Sequence, residues 1–202
     1  MPLWLAEQPL VLASKSASRH AMLRDAGVPV EVRPADLDER AIEQRGPTGD
    51  AGQAAALLAR AKAGMIAADL PGRLVLGADQ TLALGERRFS KPAGRNAAHA
   101  QLSALRGQTH ELHSAVAVMR GAEILFEHRE VARLTMRAFS DGFLESYLDA
   151  VGTAAEASVG GYQLEKAGVQ LFERIEGDHF VILGLPLVAL LQYLRQAGWL
   201  AT

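Results

Sequence analysis

The chain has no cysteine among its 202 residues. That absence removes disulfides, thiolate zinc sites and cysteine nucleophiles together, and it fits a reducing compartment. Long apolar runs are missing too. None approaches the ~20 residues that a membrane-crossing helix needs, so no membrane partner is expected. The opening segment, MPLWLAEQPLVLAS, has no early basic residue and places Glu7 ahead of its apolar run. That argues against a secretory signal and makes the cytoplasm the expected location. Charge of one sign is also not in excess: 21 Lys and Arg stand against 23 Asp and Glu. No basic footprint marks a nucleic-acid polymer, although a few placed cations would still suffice for a small anionic substrate.

The standard catalytic signatures are absent as well. HExxH, GxSxG and CxxC do not occur, so zinc protease, serine hydrolase and thiol redox chemistry lose support. His110 and His113 are three apart on a predicted strand and point to opposite faces, poor geometry for one metal ion.

What is present centres on LVLGADQTLALGERRFSKP, residues 74–92. Leu74-Val75-Leu76 reads as a short buried strand. Gly77-Ala78 is expected to break it and to deliver Asp79 and Gln80 at its end, where ligands gather in α/β proteins. A second apolar run, Thr81 to Leu84, turns through Gly85 and returns to Ser90-Lys91-Pro92. Asp79 with Lys91 nearby is either an anionic-substrate site or an ordinary turn beside a solvated lysine.

Upstream, Pro9 to Ala13 reads as a strand, and Arg19 to Ala26 as a helix closed by Gly27. The Ser14-Lys15-Ser16-Ala17-Ser18-Arg19 loop between them lacks the glycines of a Walker loop or a dinucleotide fingerprint. It still places hydroxyls, cations and free backbone N–H groups at a helix start, a setting that binds phosphate. The alternative is one capping serine with the rest exposed. Val28 to Val32 reads as a second strand. Asp36, Asp38 and Glu39 after it either supply a hard cation such as Mg²⁺ or Mn²⁺ or form a solvated loop. Gln53 to Ala68 is predicted helical, with Lys62 at the edge of its apolar face as a snorkelling lysine or a phosphate contact.

Asn96 to Leu105 is a further helix, and His110 to Met119 with Glu123 to Met136 a hairpin of long strands. Ser140 is an N-cap for a short helix carrying Phe143, Leu144 and Tyr147. Val159 to Gly168, which contains Glu165, reads as a glycine-flanked loop shaping a pocket. Val169 to Ile175 and Phe180 to Leu183 are expected as strands, and Pro186 opens the last helix. The class is α/β with a partly antiparallel sheet, in one domain spanning residues 1–202. Acidic residues (Asp36, Asp38, Glu39, Asp79) and cations (Lys15, Arg19, Lys62, Lys91) near strand ends and helix starts suit metal-assisted hydrolysis of a phosphoanhydride.

Several blocks in order carry a resemblance over nearly the whole chain: LASKSASR at 12–19, DLDE at 36–39, LARAKA at 58–63 and LGADQ at 76–80. SKP at 90–92, LRGQTHELHSAVAV at 105–118 and LFERIEGDHFVILGLPL at 171–187 continue it. With these the chain resembles the Maf family of nucleoside triphosphate pyrophosphatases, relatives of the inosine triphosphate pyrophosphatase superfamily. The resemblance implies an elongated mixed sheet with flanking helices, two lobes around a central cleft, and a homodimer. It also implies divalent-metal-dependent cleavage of a nucleoside triphosphate to a monophosphate and pyrophosphate. By position it makes Asp79 the catalytic carboxylate, and Ser14, Arg19, Lys62 and Lys91 the phosphate-side residues. Glu39 becomes the second acidic residue, sharing a metal with Asp79.

The departures bear on substrate. The family's SPRR or SPWR is here Ser16-Ala17-Ser18-Arg19. Gln80 and Glu165 match the branch that acts on 7-methyl-GTP, where the dTTP/UTP branch has Thr and Gln. A carboxylate near a cationic methylated purine is electrostatically sensible. The expectation is therefore a pyrophosphatase leaning to 7-methyl-GTP. The alternatives are a dTTP/UTP enzyme of the same family or a nucleotide-binding regulator of cell division with little turnover.

Overall fold

The computed structural model describes residues 2–39, 41–42 and 50–202. In chain order the elements are β1 (Leu10–Leu12), α1 (Ala17–Asp25), β2 (Val30–Val32), α2 (Ala51–Asp69), β3 (Val75–Leu84) and β4 (Arg87–Phe89). There follow α3 (Arg95–Leu105), β5 (Thr109–Arg120), β6 (Glu123–Met136), α4 (Asp141–Val151), β7 (Phe172–Glu176), α5 (His179–Ile182) and α6 (Leu187–Gln196). The strands form a seven-stranded sheet in the order β2-β1-β3-β5-β6-β7, with β4 paired to β3. Pairing of β1 with β2 and β3 is parallel, whereas β3–β4 and β6–β7 are antiparallel. The mixed sheet flanked by helices is the class expected from the sequence. Among the described residues no helix is long and apolar enough to cross a membrane.

The chain divides into two compact units. The first comprises residues 1–80, 113–130 and 178–202; the second comprises 81–112 and 131–177.

In the first unit the period of two along each strand sorts side chains onto two faces. Leu10, Leu12, Leu76, Ala78, Val116 and Val118 pack with Met22 and Leu23 of α1 and Leu187, Leu190 and Leu194 of α6. The opposite set, Val11, Ala13, Val75, Ala115 and Ala117, meets Ala55, Ala59, Ala63 and Ala67 of α2. Small residues on both sides of that second contact let the helix lie very close to the sheet. At Gly77 the approach is closest: a Cβ there would stand 2.0 Å from the Ala59 carbonyl oxygen.

That contact corrects one expectation. β3 does not break at Gly77-Ala78; it runs unbroken from Val75 to Leu84, and Asp79 lies within it, not at its end. Gly77 is required because backbone passes over it, and its lack of a side chain does not interrupt the strand.

In the second unit, α3 and α4 pack on 3₁₀ turns at Gly152–Glu156 and Val159–Gly161. Ser140 caps α4 as read, its hydroxyl accepting from the Phe143 amide at 3.2 Å. Buried His110 contacts Tyr162, Nε2 to hydroxyl at 2.7 Å, with the Phe172 ring 5.9 Å away. Burial lowers the His110 pKa from 6.5 to about 4, so the ring is neutral at neutral pH.

Two further strand expectations are corrected. Residues 167–171 form a 3₁₀ turn, and only Phe172–Glu176 is extended. Phe180 to Leu183 is not a strand either: His179–Ile182 is a short helix capped by Asp178, whose carboxylate accepts from the Phe180 and Val181 amides. An apolar run of four carries no period, and here the cap decides its conformation.

Candidate active site

Six of the residues singled out in the sequence lie in the first unit: Ser14, Arg19, Glu39, Lys62, Asp79 and Gln80. Their placement follows from the sheet's alternation. Odd positions of β3 face α2, so Asp79 points the same way as Val75 and Gly77, while Gln80 points to the other side with Leu76 and Ala78. The close approach at Gly77 brings α2 residues 59 and 63 onto the strand, and Lys62 comes with them.

Lys62 Nζ donates to Asp79 Oδ1 at 2.5 Å and to Glu39 Oε1 at 2.8 Å. Lys62 and Asp79 are both buried, at 9% and 8% exposure, whereas the Glu39 side chain is about half exposed. One ammonium therefore bridges a buried carboxylate and an outer one. Burial raises the Asp79 pKa above the ordinary carboxylate value, and the charges of Lys62 and Arg19 pull against it.

Ser14 follows β1, level with the middle of β3 because β1 and β3 run parallel with Leu12 opposite Leu76. Its hydroxyl accepts from the Ser16 amide and from Arg19 Nη1, both at 3.2 Å. Ser16 is the N-cap of α1, accepting from the Arg19 amide at 3.3 Å. One serine caps and another faces the site, while Lys15 is exposed.

Arg19 is held more firmly than a free phosphate-binding arginine would be. Its Nε donates to the Gly184 carbonyl at 2.8 Å and Nη1 to the Ala78 carbonyl at 2.9 Å. With Nη1 also reaching Ser14, the outer nitrogen Nη2 is the edge left to receive an anion. Burial lowers the Arg19 pKa, and the charges of Asp79 and Glu39 oppose that.

Gln80 is tied down as well. Its Nε2 lies 3.0 Å from Ser114 Oγ, from the Val181 carbonyl and from the Ile182 carbonyl. Ser114 and Gly184 escaped the reading of the sequence. The signal for Ser114 was its parity with Val116 and Val118, which places its hydroxyl on Gln80's face of the sheet. Gly184 sits at φ 95°, a conformation open chiefly to glycine, and a Cβ there would stand 3.2 Å from Arg19 Nη2.

Lys91 and Glu165 belong to the second unit and are exposed, Lys91 in the loop after β4 and Glu165 in a turn after Tyr162. Asp36 and Asp38 are exposed or nearly so, and Asp38 accepts from the Ala41 amide at 3.0 Å. Among the described residues no group of three His, Asp or Glu side chains converges as a metal cage. Glu39 and Asp79 nonetheless converge on one cationic point, the Lys62 ammonium, and are hard oxygen donors of the type Mg²⁺ takes one or two at a time alongside substrate oxygens.

This arrangement can hold negative charge at Lys62 and Arg19 and can take up a proton at Asp79. Comparison with known proteins gives the family and the relatives that the chain is similar to. The family described as Maf-like protein matches residues 9–197. A nucleoside triphosphate pyrophosphatase of Rhodopseudomonas palustris (strain BisB18) is 55% identical over 201 residues, covering 100% of both chains. One from Nitrobacter winogradskyi is 53% identical, covering 99% of this chain and 98% of the relative. A 7-methyl-GTP pyrophosphatase of Mesorhizobium japonicum is 49% identical over 195 residues, 95% of this chain and 97% of its own. Among solved structures, a HAM1 protein from Coxiella burnetii aligns at a TM-score of 0.43 and 16% identity over 65% of this chain and 74% of its own, a likeness too slight to build on.

Proposed function

Since the chain belongs to the Maf-like family, we propose that it is a nucleoside triphosphate pyrophosphatase, releasing a nucleoside monophosphate and pyrophosphate. The observation that carries this reading is the Asp79 carboxylate, buried beside Lys62 and Arg19 with its proton affinity raised. A general base works best when its pKa lies nearer the working pH than an ordinary carboxylate's does. Water attacks the α-phosphorus and Asp79 receives its proton. The bond from that phosphorus to the bridging oxygen breaks, and pyrophosphate leaves with the bond's electrons. Lys62 and Arg19 Nη2 hold the phosphate charge in place before and during the step. Hydrogen bonding of Ser14 to Arg19 keeps the guanidinium oriented.

Glu39 and Asp79 are the carboxylates that would hold a divalent cation, Mg²⁺ or Mn²⁺. When bound, such an ion neutralises charge on the triphosphate. Lys62, which now bridges the two carboxylates, would then turn toward phosphate oxygen.

For the base we infer 7-methylguanine. Support comes from Gln80 and Glu165, which match the branch acting on that substrate, and from the similarity to the 7-methyl-GTP pyrophosphatase of Mesorhizobium japonicum. Glu165 is an exposed carboxylate free to meet a cationic purine, and Lys91 is an exposed cation on the same unit. The expected working form is a cytoplasmic homodimer of single-domain chains acting on free nucleotide. Purified protein with Mg²⁺ or Mn²⁺, assayed side by side on canonical and modified triphosphates, should release pyrophosphate fastest from 7-methyl-GTP. Preference for dTTP or UTP would overturn the base assignment, and binding without product would overturn the activity.

A further inference from the structure

Glu165 rides on a turn that hangs from one buried side chain. Tyr162 points inward, and its ring stands edge-on to Phe172 at 4.9 Å. The ring folds back over Gly160, where a Cβ would stand 2.8 Å from Tyr162 Cε1. The Tyr162 hydroxyl meets Nε2 of His110, on β5, at 2.7 Å. All of these residues belong to the second unit. The backbone up to Tyr162 is tied down as well: the Gly160 amide donates to Gln101 Oε1 at 3.2 Å, and the Tyr147 hydroxyl donates to the Gly161 carbonyl at 3.3 Å. After Tyr162 the hydrogen bonds among the described residues stay local. The Lys166 amide donates to the Gln163 carbonyl and the Val169 amide to the Lys166 carbonyl, both at 3.1 Å. Gly168 presses on the same point, since a Cβ there would stand 2.4 Å from the Gln163 carbonyl oxygen. Residues 163–168 therefore close on themselves, with Glu165 exposed among them.

Packing alone does not call for a polar pair at this anchor. His110 Nδ1 is buried and has no hydrogen-bond partner among the described residues, so the Tyr162 hydroxyl is what satisfies the imidazole. A leucine facing a phenylalanine would fill similar space and leave no polar atom unpaired. What an apolar pair lacks is direction. A hydrogen bond weakens steeply with angle and distance, so it fixes how deep the Tyr162 ring sits and how it is turned. Three residues later that setting reaches Glu165.

We propose that Tyr162 and His110 are positioning residues for base choice: their buried hydrogen bond sets the place of the 163–168 turn and so of the Glu165 carboxylate. The inference rests on the reading of Glu165 as the group that meets a cationic purine. A turn bonded mainly to itself takes its place from the point at which it is anchored. Loosening that point spreads the carboxylate over many positions, which weakens its attraction for a base carrying positive charge and leaves an uncharged base unaffected.

The test compares kcat/KM for 7-methyl-GTP and GTP in the full chain, with Tyr162→Phe, His110→Leu, His110→Gln, Glu165→Gln and Tyr162→Phe combined with Glu165→Gln. Tyr162→Phe and His110→Leu remove the same bond from its two ends, so either one suffices if the other does not fold. Each should lower the preference for 7-methyl-GTP by about tenfold, through KM for that substrate, with kcat on GTP within about twofold of wild type. His110→Gln, which keeps a polar partner for the hydroxyl, should stay within about threefold of the wild-type preference. In the Glu165→Gln background Tyr162→Phe should change the preference by less than about twofold, because the group it positions is gone. A wild-type preference in both Tyr162→Phe and His110→Leu would overturn the proposal, as would a loss that persists in full without Glu165. If Glu165→Gln alone leaves the preference unchanged, the reading of Glu165 falls, and this inference with it, so the two failures are told apart. Dissociation constants for the two nucleotides give the same comparison if the wild type releases no pyrophosphate.

Discussion

Lys62 Nζ sits between Asp79 Oδ1 and Glu39 Oε1, 2.5 and 2.8 Å away, so one cation serves two carboxylates. The charge of Lys62 lowers an Asp79 pKa that burial has raised. A carboxyl whose pKa is raised by folding favours the folded state most below its unfolded value, and that advantage is lost as pH rises through the folded value. Lys62→Met should push the folded pKa of Asp79 higher still. The variant's stability deficit should then be larger at pH 8 than at pH 5, reaching on the order of 3 kcal/mol, the usual range for breaking a buried pair. Urea unfolding at the two pH values measures it; an equal deficit at both would contradict the pairing.

Gly77 carries the second prediction. A Cβ there would stand 2.0 Å from the Ala59 carbonyl oxygen and 2.7 Å from the Ala63 amide nitrogen, both rigid backbone. Gly77→Ala must push α2 off β3, and overpacking of this kind costs about 3 kcal/mol or more. Because Lys62 rides on α2, activity should fall further than in a control that trims the same face without displacing the helix, such as Ala67→Gly at the far end of that helix. Equal stability and activity losses in the two variants would show that the spacing of α2 does not position Lys62.

His110 gives the pH dependence of the second unit. Folding lowers its pKa from 6.5 to about 4 through burial against Tyr162 and Phe172. A base depressed in this way contributes stability that is complete above its unfolded pKa and is lost as pH falls through its folded one. Between pH 6.5 and 4 the chain should lose about 3 kcal/mol from this residue. His110→Gln retains a polar group for the Tyr162 hydroxyl but does not titrate. Its stability at pH 7 should be lower, and its decline toward pH 4 visibly shallower. A decline parallel to wild type would place the acid sensitivity elsewhere.

The strands and helices with a clear period were legible in the sequence: the 109–120 and 123–136 hairpin, the alanine-rich helix carrying Lys62, and the Ser140 cap. So was the grouping of Asp79 with Lys62, Arg19 and Glu39, because the family blocks carry those residues in order. Three features were not. Gly77 looked like a break because a glycine in an apolar run reads as punctuation until the helix lying over it is known. Phe180 to Leu183 looked like a strand because four apolar residues show neither period, and the deciding signal was Asp178 ahead of them. The roles of Ser114 and Gly184 depend on which carbonyls meet them across the fold, information that no local pattern holds.

The central claim is that Asp79 receives the proton of the attacking water. Asp79→Asn keeps size and shape and removes the base, so pyrophosphate release at saturating nucleotide should fall by about 10²–10⁴-fold with the far-ultraviolet circular dichroism unchanged. Turnover within about threefold of wild type, in a variant folded like wild type, would contradict it.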